Sequence, residues 1–335
     1  MTLTTRDIRF MALSLALGGL AVGMFRFADS NQTVPALVEK CWMGTENGFE
    51  LQPYLQIGVF DGFHCFITQR IYHVAASTYG GTLSGLATFV ALTPWLVFMA
   101  LEAGRQGAKG LIRYPMIIAC ILQMGLGVLL LLVYIPCFIY GRSKERSPLS
   151  KAYILCSTIP ALAYAAFTGL TLFTPANTTL WKVSTVILGG PGIALSFAPL
   201  WLVSGGKPLE REESRRLATV PYILNGTIAF VLWLGVLSIF VFQMRADFQI
   251  VFEALWKDAT TFVRFFFIDA SSICVASLVL VGYLRESVLK ECLGLSALFG
   301  PGSGVSMVLA GLEIDDLAPD ATVVASAEAE VKKKN

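Results

Sequence analysis

Long apolar runs constrain this chain more than anything else in it. Leu83–Leu101, Pro115–Tyr140, Ala152–Phe173, Val183–Val203 and Ala218–Phe242 each read as an apolar segment near the length a bilayer demands, and a spanning helix needs roughly 20 such residues. Phe262–Leu284 is a sixth, interrupted only by Arg264 and Asp269. Ile8–Phe27 is weaker, with three glycines between Arg9 and Arg26. Pro53–Ile71 carries Asp61, His64, Gln69 and Arg70, so it reads as a polar span or a re-entrant helix. Counting both predicts an all-α, polytopic transmembrane helix bundle of about eight spans, with seven as the alternative. Composition agrees: 55% of residues are hydrophobic and 14% charged, against roughly 25% charged in a soluble domain.

Three regions follow. Residues 1–295 form the transmembrane bundle. Residues 296–312 are a glycine-rich, apolar, membrane-proximal segment. Residues 313–335 read as a disordered cytosolic tail rich in Ala, Asp and Glu. The first segment reads as a retained span rather than a cleaved signal, because no small-x-small site follows it. Lys/Arg bias places the N-terminus in the cytosol. That topology puts Arg105, Lys109 and Arg113 in the lumen, and Arg70, Arg142, Lys151, Arg211 and Arg216 on the cytosolic side. It also puts the N-glycosylation acceptors Asn31 and Asn177 in the lumen. Lys332-Lys333-Lys334-Asn335 has the form of a dilysine retrieval signal, which predicts the endoplasmic reticulum with both termini cytosolic.

Net charge is +2, which gives no reason to expect nucleic acid as a partner. The seven cysteines are scattered without a CxxC pair, so buried thiols are expected rather than a disulfide framework. His64 and His73, nine apart, do not have metal-ligand spacing. Neither a metal nor another cofactor is expected.

Ionisable side chains at membrane depth are functional candidates. Asp61, Glu102, Gln123 and Asp269 stand out. At about 1.5 Å per residue, Gln123, Asp269 and Asp61 lie roughly 10–12 Å inside the lumenal face, and Glu102 ends a span on that side. Each has a structural alternative: Glu102 pairing with Arg105 at i+3, Gln123 bonding a neighbouring helix, Asp61 sitting in a lumenal loop, Asp269 pairing with Arg264. Burial favours the protonated form of a carboxyl, which can then act as a general acid. Aromatic faces such as those of Trp95, Tyr114, Tyr222 and Trp233 stabilise a developing cation.

The stretch Glu102-Ala103-Gly104-Arg105, Arg113-Tyr114-Pro115, Gln123-Met124-Gly125 and Val133-Tyr134, with Ile57-Gly58-Val59-Phe60-Asp61 upstream, resembles the fungal membrane-bound terpene cyclases of ascofuranone and macrophorin biosynthesis, which have relatives in indole-diterpene clusters. The resemblance covers roughly residues 54–140 at motif level. It departs at Val133-Tyr134-Ile135-Pro136, where that family often has a Pro-Leu-Tyr-like order. It implies a metal-independent, acid-initiated cyclase of the isomerase or lyase type, acting in meroterpenoid secondary metabolism on a lipophilic prenylated substrate taken from membrane lipid, in association with other pathway enzymes. Asp61, Glu102, Arg105 and Gln123 carry over from it. Asp269 is added on burial alone, as a terminating base or second acid, with Arg105, Gln123, Trp95 and Tyr114 orienting the substrate. The competing expectations are a sterol-isomerase-like carbocation enzyme of the emopamil-binding type, and a lipid transporter or membrane scaffold, for which the break at Gly189-Gly190-Pro191-Gly192 is the relevant feature.

Overall fold

The computed structural model describes residues 3–29, 32–43, 62, 65–66, 69–72, 74, 79–123, 125–142, 146–174, 178, 180–181 and 191–315. The described residues form helices without strands. Five of the helices are long and apolar enough to cross a membrane: α1 (Thr5–Ala28), α3 (Tyr79–Gly104), α6 (Lys151–Phe173), α8 (Arg211–Gln243) and α10 (Thr261–Leu284). Between them lie α2 (Thr33–Met43), α4 (Pro115–Leu122), α5 (Leu126–Gly141), α7 (Gly192–Leu202) and α9 (Phe248–Phe252). The chain closes with α11 (Leu289–Phe299) and α12 (Pro301–Asp315).

Helix α3 is the axis of the bundle. Its apolar window is 94% buried, against 17% for that of α1. Helix α10 runs parallel to it, since Thr88 Oγ1 donates to Phe266 O and, two turns on, Trp95 Nε1 donates to Ser277 Oγ. The flanking helices run the other way. Tyr153 OH at the start of α6 reaches Ala100 O at the end of α3, while Phe89 packs on Tyr164 and Phe167 further along. Arg6 at the start of α1 donates to Gly282 O and Tyr283 O at the end of α10, and Phe25 meets Phe265 at its beginning. The bundle therefore has two ends. One gathers Thr5, Gly104, Lys151, Arg211 and Leu284; the other gathers Ala28, Tyr79, Phe173, Gln243 and Thr261.

Two segments enter the bundle and turn back. The apolar run from Pro115 is not one straight span. Pro115 opens α4, the chain turns after Leu122, and α5 returns until Gly141 O accepts the N–H of Lys109 at 2.8 Å. A side chain at Gly141 would sit 2.5 Å from Lys109 O, so only glycine lets the two ends of the hairpin close. The second hairpin is α11–α12. Gly300 turns it at φ +87°, a conformation that disfavours any residue with a Cβ, and Pro301 starts the returning helix. Gly302 lies against Val90 O of α3 and Gly304 against Ser296 of α11; a Cβ at either would approach backbone within 2.0–2.4 Å. In hydrocarbon, such close approach is what holds helices together.

These hairpins correct the topology read from hydropathy. Arg105, Lys109 and Arg113 lie at the same end as Arg142, Lys151 and Arg211, not opposite them. Helix α1 ends and α3 begins at the same far end. The segment beyond 296 is not merely membrane-proximal: α12 packs along α8 with Asn225 Nδ2 donating to Ser306 Oγ. Glu313, expected to begin a disordered tail, is 1% exposed within the bundle. The cysteines also differ from expectation, because Cys41 and Cys65 form a disulfide. Their spacing of 24 residues gives no sequence signal, and α2 brings them together at the far end.

Candidate functional site

The tip of the first hairpin builds the site. Gly127, at the start of α5, abuts α10 so closely that a Cβ there would lie 2.5 Å from Ser272 Cβ and 2.6 Å from Asp269 O. That contact presents the Gly127 N–H to Asp269 Oδ1 at 3.1 Å. Asp269 lies two turns into α10 and is 1% exposed. Its other oxygen faces Arg70 Nη2 at 3.7 Å. Arg70 stands on the helical turn 69–72, is itself buried, and donates through Nη1 to Gln123 O at 3.4 Å. The guanidinium lies against the rings of Phe66 and Phe266. Its Nε has no partner among the described residues.

Around this group is a cleft of about 530 Å³, walled by Phe89, Phe167, Phe266, Ile71, Leu126 and Ile193, with Tyr164 from α6. The Tyr164 hydroxyl is buried and unpartnered among the described residues. A second, larger cavity of about 880 Å³ shares Arg70 with the first. It runs between α1, α2, α10 and the hairpin, with Phe25, Val34, Val128, Leu129 and Phe265 in its wall and Arg26 and Asp29 at its edge.

Two of the residues singled out from sequence, Gln123 and Asp269, meet here. Arg264 is not the partner of Asp269; it donates instead to Trp256 O and Lys257 O. Glu102 and Arg105 do not join the site. Glu102 is thirteen residues beyond Phe89 on the same helix, which is about 20 Å at 1.5 Å per residue, so the four polar groups do not share one depth. Trp95 is buried against Ser277, Phe98 and Tyr134, away from the cleft. Tyr114 caps α4 at the hairpin mouth and is 47% exposed. Asp61, His64, His73, Asn31 and Asn177 lie outside the described residues. Arg70 and Tyr164 were not singled out from sequence. Arg70 read as a cytosolic charge at the end of a doubtful span, and a single tyrosine in an apolar run carries no periodic signal.

Glu102 and Arg105 instead belong to a buried ionic cluster at the near end. Arg105 Nε donates to Glu102 Oε1 at 2.9 Å and Arg105 Nη2 to Glu313 Oε1 at 2.6 Å. Arg146 Nη1 lies 3.2 Å from the same Glu313 oxygen, and Arg105 Nη1 also donates to Ser147 O. Burial works against the charge on Arg105, yet Glu313 and Glu102 outweigh it and raise its pKa above the usual arginine value. Burial likewise pushes the Glu313 carboxyl up, but Arg105, Arg146 and Arg215 hold it below the ordinary glutamate value. The cluster links α3, residues 146–147 and α12, with Glu313 Oε2 left without a partner among the described residues.

No protein-family model matches the chain, and no curated protein or solved structure matches it either.

Proposed function

We propose that the protein is an integral membrane terpene cyclase that takes a prenylated, lipophilic substrate from the bilayer and starts its cyclisation by protonation. The observation that carries this reading is the content of the central cleft: a buried carboxyl, a guanidinium and a phenol hydroxyl with no partner among the described residues, inside a wall of phenylalanine and aliphatic side chains. Asp269, a carboxylate beside Arg70, takes up a proton when substrate enters and passes it to the oxygen of a terminal epoxide, or to the end carbon of an alkene. The epoxide C–O bond opens to a hydroxyl and a tertiary cation, and successive alkene π pairs close carbon–carbon bonds onto it. The last cation either loses a C–H proton or is captured by a substrate hydroxyl, which then loses its O–H proton; in both cases the proton returns to Asp269. Phe89, Phe167 and Phe266 offer ring faces to the migrating charge. Tyr164 orients the oxygen being protonated.

In the membrane, the end rich in Lys and Arg faces the cytosol. The far end, where Cys41 and Cys65 are joined, faces the oxidising lumen. The cleft opens nearer the lumenal side, and the described N-terminal residues and α12 end on the cytosolic side. Six passes, five by the long helices and one by the segment ending in α7, satisfy that arrangement.

The test is conversion of prenylated epoxides by membranes expressing the protein, read as a product of equal mass. Asp269→Asn should abolish it at unchanged expression, and product formation at the wild-type rate by Asp269→Asn would sink the reading. A second reading, lipid transport, is favoured by the paired re-entrant hairpins, which resemble the broken helices of transporters. It predicts movement of unmodified substrate across vesicles.

A further inference from the structure

We infer that Arg70 is a ligand-binding residue, whose Nε–H donates to a neutral acceptor oxygen on a substrate seated in the larger cavity beside α1. This deepens the cyclase reading by naming a second polar group on the substrate, remote from the atom that is protonated. Arg70 separates the two cavities and lines both. Its two terminal nitrogens are engaged, Nη1 with Gln123 O and Nη2 with Asp269. Nε is the guanidinium nitrogen that is buried with no partner at all among the described residues. A guanidinium accepts nothing, so what satisfies Nε must present an oxygen or nitrogen lone pair.

Charge decides the kind of oxygen. The Arg70 cation already faces the Asp269 carboxylate, and the other two charged lining residues, Arg26 and Asp29, are of opposite sign. A carboxylate or phosphate would add a net desolvated charge where these charges sum to zero, which is costly. A ketone, ether or hydroxyl supplies the lone pair without that cost. The rest of the wall, from Phe25 and Val34 to Val128 and Leu129, is apolar and suits a hydrocarbon body. Gly125 also lines this cavity, with open space where a Cβ would stand. The cavity reaches the outside at Val22, an exposed residue on the most lipid-facing of the long helices. The ligand therefore enters sideways from the bilayer, its prenyl tail leading past Arg70 into the cleft of Asp269 and Tyr164 and its oxygen stopping at Arg70.

The test is binding, without turnover, to the full chain in phosphatidylcholine nanodiscs. Tritiated farnesylacetone, a neutral ketone, is the probe, displaced by unlabelled farnesylacetone, by farnesylacetic acid or by the hydrocarbon farnesene. One hydrogen bond from a buried charged donor predicts that the ketone displaces at about tenfold lower concentration than the hydrocarbon or the ionised acid. In Arg70→Met the ketone and hydrocarbon should converge. Because that variant strands Asp269, the charge-balanced pair Arg70→Met with Asp269→Asn is measured beside it and should show the same convergence. Gly125→Leu should weaken all three ligands together by filling the cavity. A ketone preference that survives in both Arg70 variants overturns the inference, as does tightest binding by the acid, or no saturable binding to the wild type. Those failures leave the cyclase reading standing, since it falls only on conversion by Asp269→Asn.

Discussion

Glu313 offers the sharpest quantitative test of the fold. Its Oε1 accepts from Arg105 at 2.6 Å and faces Arg146 at 3.2 Å, and its side chain is 1% exposed. Removing one partner of a buried ion pair costs roughly 3–5 kcal/mol, because the other charge stays buried. In Glu313→Gln the amide keeps the shape and Glu102 still serves Arg105, so the low end, about 3 kcal/mol, is expected. The readout is thermal unfolding in detergent, followed by labelling of the buried thiol of Cys292. Glu212→Gln, which breaks an ion pair with both side chains more than 60% exposed, should not move the midpoint measurably. The pH dependence has a definite sign. A carboxyl whose folded pKa is depressed stabilises above its unfolded pKa and loses that contribution as pH falls through the folded one. For Glu313 the folded value lies below the reference of 4.5. The gap between wild type and Glu313→Gln should hold constant from pH 7 to 5 and close under more acid conditions. A Glu313→Gln protein that melts with the wild type at pH 7 would mean that α12 is not tied to α3 through this cluster.

Gln106→Cys and Arg216→Cys should react with a membrane-impermeant maleimide from the same side of sealed vesicles, since the first hairpin returns to its starting end; labelling from opposite sides would show that the segment from Pro115 crosses after all. Gly127→Ala should destabilise by about 1–3 kcal/mol through overpacking against α10 and lower conversion, whereas Gly19→Ala, with nothing near its Cβ, should do neither; equal midpoints in the two variants would refute the close contact. Tyr164→Phe should leave stability unchanged or slightly raised, because a buried unpartnered hydroxyl is removed, while product yield falls; undiminished yield would take Tyr164 out of the site.

Hydropathy made the all-helical bundle legible, and five of the apolar runs do correspond to helices of spanning length. It could not separate a span from a hairpin. Residues 115–140 are apolar apart from Gln123, and hydrocarbon accepts them straight or folded back, provided that the turn is covered by protein. The information that folds them is local: Pro115 at a helix start, the turn after Leu122, and Gly127 and Gly141 where a backbone must approach another at less than a side chain's width. A sequence read for burial alone treats those glycines as neutral. The same limitation hid the site. Asp269 and Gln123 were visible as costly polar residues, but Arg70 and Tyr164 become informative only when α6 and the 69–72 turn are known to face α10.

The ends of the described helices bear on function. The segment after Pro115 folds back, and the described N-terminal residues and the end of α12 lie at one end of the bundle. Folding that segment back reverses the side assigned to Arg105, Lys109 and Arg113, and so concentrates the basic residues further at that end. It also parts the polar residues that a straight-span topology placed together. Glu102 goes to a cluster at the end that gathers Gly104 and Lys151, while Asp269 remains in the other half, where the hairpin tip, Arg70 and Tyr164 converge on it. A bundle of straight helices would present Asp269 only to neighbouring apolar side chains. The hairpin instead brings backbone to within hydrogen-bond distance at mid-depth and leaves room beside it, which is how a chain this poor in charge assembles a polar site inside hydrocarbon.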